Sequence, residues 1–235
     1  MKLEVVTTNL TDVKDAEKYG ADRAELITAM TELGLTPSYG LIKEAVRSVD
    51  IPVNVIVRPH NQSFYYNDND VQTMITDIKM IKDLGANGIV IGPLAADGTF
   101  DKEVLERLLE VSVGLDVTIH RAIDFARDQV EAIKFLKEYK EITTILTAGG
   151  NYNAPEAVDQ VNELIDLAKD SHVKMMIGNG LKLDNVEEFL QKVKPVDALH
   201  FGSDVRINKS VMNPLDGERI KAIKKIMSSR KPPIN

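Results

Sequence analysis

Short β-branched runs and longer amphipathic runs alternate along this chain without a break, and that alternation constrains the fold more than any other feature. A short run rich in Val, Ile and Leu reads as a buried strand, whereas a longer run with apolar residues three and four apart reads as a helix. The pattern predicts strands over 3–6, 23–27, 53–57, 88–91, 143–146, 173–177 and 198–201. A further strand starts at Val117 and ends abruptly in His120, Arg121 and, a short step on, Asp124. Helices are predicted over 11–19, 38–48, 70–84, 101–111, 128–139, 155–168, 184–193 and 216–227. Eight strand-then-helix units in 235 residues, with no internal linker, predict an α/β chain folded as one closed (β/α)8 TIM barrel over 1–228. An open doubly wound sheet is the alternative topology, and the 229–235 tail with Pro232-Pro233 is expected to fray.

Loop lengths point to one end of that barrel. Helix-to-strand connections such as Gly20-Ala21-Asp22 and Gly85-Ala86-Asn87 are little more than helix stops. Three strand-to-helix connections, 28–37, 58–69 and 202–215, are long. Excess length therefore gathers at the carboxyl ends of the strands, where barrels build their sites.

Composition excludes several functions. A net charge of −7 argues against a nucleic-acid surface, which needs clustered Lys and Arg. No apolar run approaches the roughly 18 to 20 residues of a membrane span, and the N-terminal stretch lacks a signal-type apolar region, so a cytoplasmic protein is expected. The chain has no cysteine, which removes disulfides, thiolate catalysis and thiolate metal sites.

Period-two alternation then picks the residues expected to face the barrel interior: Glu4, Glu25, Asn54 with Arg58, Thr118 with His120, and His200. Charged groups on an inner face are costly unless paired or solvated. The sequence therefore predicts a polar cluster, with Glu25, Arg58, His120, Asp124 and His200 as catalytic candidates. Asp124 is placed to orient His120 or to hold Arg121, and Glu4 to serve as a structural partner for a neighbouring strand. A buried Glu25–Arg58 ion pair is the plain structural reading of those two residues. Ligand binding falls on Glu4, Arg121 and the late strand ends: Thr147, Gly149 and Gly150; Gly178, Asn179 and Gly180; Gly202 and Ser203. Glycine there lets backbone N–H groups approach an anion, although turns also require it. The Phe64-Tyr65-Tyr66 loop reads as a lid or as a packing contact, and His60 and His172 as loop residues without a role.

Successive motifs resemble those of a known family. Gly20-Ala21-Asp22-Arg23-Ala24-Glu25-Leu26, Gly34-Leu35-Thr36-Pro37-Ser38, Ile56-Val57-Arg58-Pro59, Phe64-Tyr65-Tyr66, His120-Arg121-Ala122-Ile123-Asp124 and Leu146-Thr147-Ala148-Gly149 are similar, in order and spacing, to the signatures of the CutC family. The resemblance implies a (β/α)8 barrel, a cytoplasmic protein, self-association as a dimer or tetramer, and copper homeostasis with copper as the bound metal. It carries the family's polar strand-end residues onto Glu4, Glu25, Arg58, His120, Arg121 and Asp124. Copper(I) prefers soft thiolate and thioether ligands, and this chain offers methionine but no thiolate.

Three functions follow as expectations: a copper-handling protein, an acid–base enzyme of the lyase or isomerase type on a small phosphorylated or otherwise anionic substrate, and a non-catalytic barrel with structural ion pairs. The ligand is thus a small molecule or a metal, with neither nucleic acid nor membrane as a partner. A solvent-open cluster of Glu25, Arg58, His120 and His200 would support a site, and a sealed, fully paired one would support structure.

Overall fold

The structure, a computed structural model, describes residues 1–150 and 153–229. Eight parallel strands close on themselves: β1 (Lys2–Thr7), β2 (Arg23–Leu26), β3 (Val53–Ile56), β4 (Gly88–Ile91), β5 (Asp116–Ile119), β6 (Ile142–Thr147), β7 (Lys174–Gly178) and β8 (Ala198–Phe201). They pair in sequence order, and Glu4↔His200 in the β1–β8 register seals the barrel. The open-sheet alternative is therefore excluded. Between them run α1 (Leu10–Tyr19), α2 (Tyr39–Ser48), α3 (Asp68–Asp83), α4 (Lys102–Val111), α5 (Gln129–Leu136), α6 (Val158–Ala168) and α7 (Val186–Lys192), with α8 (Gly217–Ser229) last.

The helices start where the sequence supplies caps. Asn9, Ser38, Asp101 and Asp128 each accept a backbone N–H of the first turn, and Asn67 with Asp70 forms a reciprocal capping box. Gly20 ends α1 at φ 99°, a left-handed turn that only glycine adopts cheaply, and its N–H closes onto the last carbonyls. Several boundaries differ from expectation. The 155–168 helix begins at Val158, because Ala154–Glu156 form a separate 3-10 turn and Ala157 at φ −118° breaks the two apart. α5 stops at Leu136 rather than Tyr139, and α8 continues past Met227 through Ser228, whose Oγ bonds back to the Lys224 carbonyl. Residues 230–235 of the expected tail lie outside the described residues.

The main core fills the layer between strands and helices, where Val5, Leu26, Val55, Ile89, Ile119 and Ile177 are fully buried against Ile42, Met74, Leu105 and Leu164. Inside the barrel a second apolar group, Val6, Ile27, Ile56 and Val90, crosses the upper ends of β1 to β4. Below and beside it lie the polar interior residues. No helix among the described residues is long and apolar enough to cross a membrane.

Candidate functional site

Glu4, Arg23, His200 and Glu25 form a chain of ionisable groups inside the barrel. Arg23 Nε donates to Glu4 Oε2 at 2.5 Å, and His200 Nδ1 lies 2.7 Å from Glu4 Oε1. The other imidazole nitrogen stands 3.9 Å from Glu25 Oε2, beyond hydrogen-bond reach. Both Glu4 oxygens are thus engaged, and Glu25 makes no side-chain hydrogen bond among the described residues. Burial would raise Glu4, yet Arg23 and His200 hold it below its ordinary value. Burial pushes Glu25 up to about 7, helped by the charge on Glu4 and opposed by His200 and Arg23. His200 is itself raised: burial disfavours its charge, but the carboxylates of Glu25 and Glu4 outweigh it. The two groups therefore act on each other: the Glu25 carboxylate raises His200, and His200 opposes the rise of Glu25. Glu4 meets both neighbouring strands, through Arg23 on β2 and His200 on β8, and, expected also among the ligand-binding residues, is 1% exposed and outside the cavity wall. Arg23, to which the sequence reading gave no role, is its counter-charge; its place two residues before Glu25 on β2 was the available signal.

Glu25 and His200 form part of the wall of a cavity of about 280 Å³ at the carboxyl ends of the strands. His120, Arg121, Asn179, Gly180, Gly202 and Ser203 share that wall, with Val6, Ile27, Ile56, Leu146 and Phe64 as its apolar part. Arg121 uses Nε on Asp124, at 2.8 Å, and its terminal nitrogens have no partner among the described residues. His120 follows β5 directly. Its ring tilts against Phe64 at 5.1 Å, and burial, with the cations of Arg58 and Arg121 nearby, pushes it down to about 3.

Three expectations need correction. Of the two placements expected of Asp124, the structure shows the second: it holds Arg121 and does not orient His120. It sits in the 3-10 turn Arg121–Phe125, which aims its carboxylate at Arg121 Nε, Thr147 Oγ1 and the N–H groups of Ala148 and Gly150. The anion site expected from Thr147, Gly149 and Gly150 is for the same reason already filled by the chain's own carboxylate; Gly149 N–H donates to Thr147 Oγ1. Arg58 pairs with no carboxylate among the described residues and is not in the cavity wall. β3 ends at Ile56, so the strand period no longer directs Arg58, and its guanidinium bonds the carbonyls of Glu32 and Gly34 and stacks over Phe64 at 4.7 Å. Gly178 is a matter of room: a Cβ there would stand 3.0 Å from the His200 ring.

Glu4, Glu25 and His200 offer ligand atoms within 4.8 Å of one another, the one such group among the described residues. Two carboxylates and an imidazole are hard and borderline donors, and the Arg23 guanidinium on Glu4 disfavours a cation. The Met176 sulfur accepts from Arg23 Nη2 at 3.3 Å, and Met30 is the one thioether in the cavity wall. These residues do not fit copper(I).

A sequence model of the CutC family matches residues 1–204. A family protein CutC of Yersinia pseudotuberculosis is 40% identical over 189 residues, 80% of this chain and 74% of that one. Its counterpart in Glaesserella parasuis is 32% identical over 244 aligned positions, covering 97% and 99% of the two chains. Among solved structures, a candidate copper homeostasis protein CutC from Streptococcus agalactiae superposes with a TM-score of 0.78 at 31% identity, over 86% of this chain and 98% of that one.

Proposed function

The chain belongs to the CutC family, and from that premise we propose that it is an acid–base enzyme acting on a small anionic substrate at the carboxyl end of its barrel. One observation carries this reading. Glu25 is 5% exposed, makes no side-chain hydrogen bond among the described residues, and opens with His200 onto a cavity that Arg121 also lines. A structural pair closes to contact, as Glu4 and Arg23 have done; Glu25 and His200 have not. A carboxyl poised near neutral pH is matched to taking and returning a proton. Arg121 offers its terminal nitrogens to a carboxylate or phosphate, and Asn179, Gly180, Gly202 and Ser203 line the same cavity. The cavity volume limits the substrate to a small molecule.

Copper handling, as the name of the Streptococcus agalactiae relative has it, is the competing reading. The test has two arms. Small carboxylates and phosphate esters are incubated with the protein in D2O, and deuterium uptake at carbon is followed by NMR. Uptake is expected, with a loss of about 100-fold or more in Glu25→Gln and weakened binding in Arg121→Ala. In parallel, copper(I) is titrated under a competing chelator. Tight one-to-one copper(I) binding that His200→Ala abolishes, with no exchange in any anion, would overturn the enzyme reading.

A further inference from the structure

His120 is the one imidazole in the cavity wall that stands apart from the carboxylates. Its Nδ1 accepts the Ala122 N–H at 3.0 Å, which requires that nitrogen to be unprotonated and puts the ring proton on Nε2. That Nε2–H is buried and has no acceptor among the described residues. The residue is 6% exposed, so the ring has little freedom to turn the donor to water. Buried donors are almost always paired in folded proteins, and an orphan in a cavity wall points to a ligand atom. Phe64, on the loop after β3, is the ring packed against the imidazole, and it also contacts Phe125 and Arg58.

We propose that His120 is a fixed hydrogen-bond donor to the substrate, and that the substrate is a small anionic carbonyl compound. Its C=O oxygen accepts from His120 Nε2–H, and its carboxylate or phosphate meets Arg121. The inference rests on the acid–base reading of Glu25 and His200. In the step it describes, the Glu25 carboxylate takes a proton from the carbon next to the carbonyl. The C–H electron pair becomes the new C=C bond, the carbonyl π pair moves to oxygen, and the enolate oxygen is held by His120. Glu25, now a carboxylic acid, or His200 returns the proton to carbon. No oxidant or co-reactant is needed. A neutral imidazole suits this task, because it stabilises a developing oxyanion without surrendering its own proton. Burial keeps it neutral, helped by the nearby cations of Arg58 and Arg121, since all three disfavour an imidazolium.

Oxalate is the probe, a planar dianion shaped like the enolate of a 2-oxo acid. The full-length protein, labelled with 15N on histidine, is titrated with it by NMR. His120 is expected to show the Nε2–H tautomer from pH 5 to 8, and its Nε2 and Hε2 signals should shift as oxalate binds. His120→Gln, which keeps an N–H donor, should retain binding within a few-fold, whereas His120→Leu should lose roughly tenfold. A His120 ring that titrates near neutral pH, or equal oxalate affinity in His120→Leu and wild type, overturns the inference. In either case oxalate binding that Arg121→Ala weakens leaves the acid–base reading standing. No oxalate binding to wild type, together with no deuterium uptake in any anion, overturns both.

Discussion

His200 Nδ1 lies 2.7 Å from Glu4, and through that contact one imidazole joins a sealed carboxylate to an open one. Glu4 is fixed by Arg23 and is 1% exposed, whereas Glu25 on the other side of the ring lines the cavity. Replacing Glu4 by Gln removes the charge between two buried cationic groups. Arg23 is then left without a counter-ion, so Glu4→Gln is expected to lose about 3 kcal/mol of stability in urea denaturation. The same change removes one of the carboxylates that raise His200, so the His200 titration followed by NMR should move to lower pH. An unchanged His200 titration would show that Glu4 is not among the carboxylates that raise it.

Glu25 makes stability depend on pH in an unusual direction for a carboxyl. It is held at about 7 against an ordinary 4.5, so between those values the folded protein keeps a proton that the unfolded chain has released. Stability from this group is present below pH 4.5 and declines as pH rises through 7, by at most about 3 kcal/mol. Glu4, with its lowered value, works in the opposite sense and loses its contribution as pH falls. The difference between variant and wild type isolates Glu25: Glu25→Gln should be more stable than wild type at pH 8 and near parity at pH 4, measured by urea midpoints. Parity at both values would show that Glu25 ionises normally.

Asp124 acts as an anchor for two loops. Its carboxylate gathers Arg121, the Thr147 hydroxyl and the backbone of Ala148 and Gly150 within 3.2 Å. An amide at this position turns one acceptor into a donor facing other donors. Asp124→Asn is expected to cost about 3 kcal/mol or more, with faster amide hydrogen exchange at Ala148 and Gly150. Normal protection at those two amides would show that the turn after β6 holds without the carboxylate.

The barrel was legible because two periods alternate eight times, and the inward positions of Glu4, Glu25 and His200 followed from the strand period alone. Arg23 obeys the same rule and was still passed over, since a cation at a strand start reads as a boundary residue until its partner is known. Where the strand period stops, direction is lost. Arg58 lies two residues beyond Ile56, and Asp124 lies inside a 3-10 turn, so their targets depend on loop paths that no spacing encodes. The Ala148 and Gly150 N–H groups of the 147–150 turn do meet an anion, but not a ligand's. The anion they meet is the carboxylate of Asp124, supplied from another loop and 23 residues away from Thr147.

Gly92 tests whether the His120 ring is held as tightly as its role requires. A Cβ at this position would stand 2.4 Å from His120 Cε1, 2.5 Å from Nδ1 and 2.9 Å from the Ala122 Cβ. The backbone cannot yield easily, because His120 N–H is bonded to the Ile91 carbonyl at 2.9 Å. The ring must therefore tilt away and give up the Ala122 N–H, into space that Phe64 occupies. Gly92→Ala is expected to cost about 1–3 kcal/mol by overpacking, and to let the His120 proton distribute over both ring nitrogens. Thermal denaturation reads the first effect and 15N shifts the second. A variant with a lowered melting temperature and an unchanged Nε2–H tautomer would mean that the field of Arg58 and Arg121, not the Ala122 contact, sets where the proton sits.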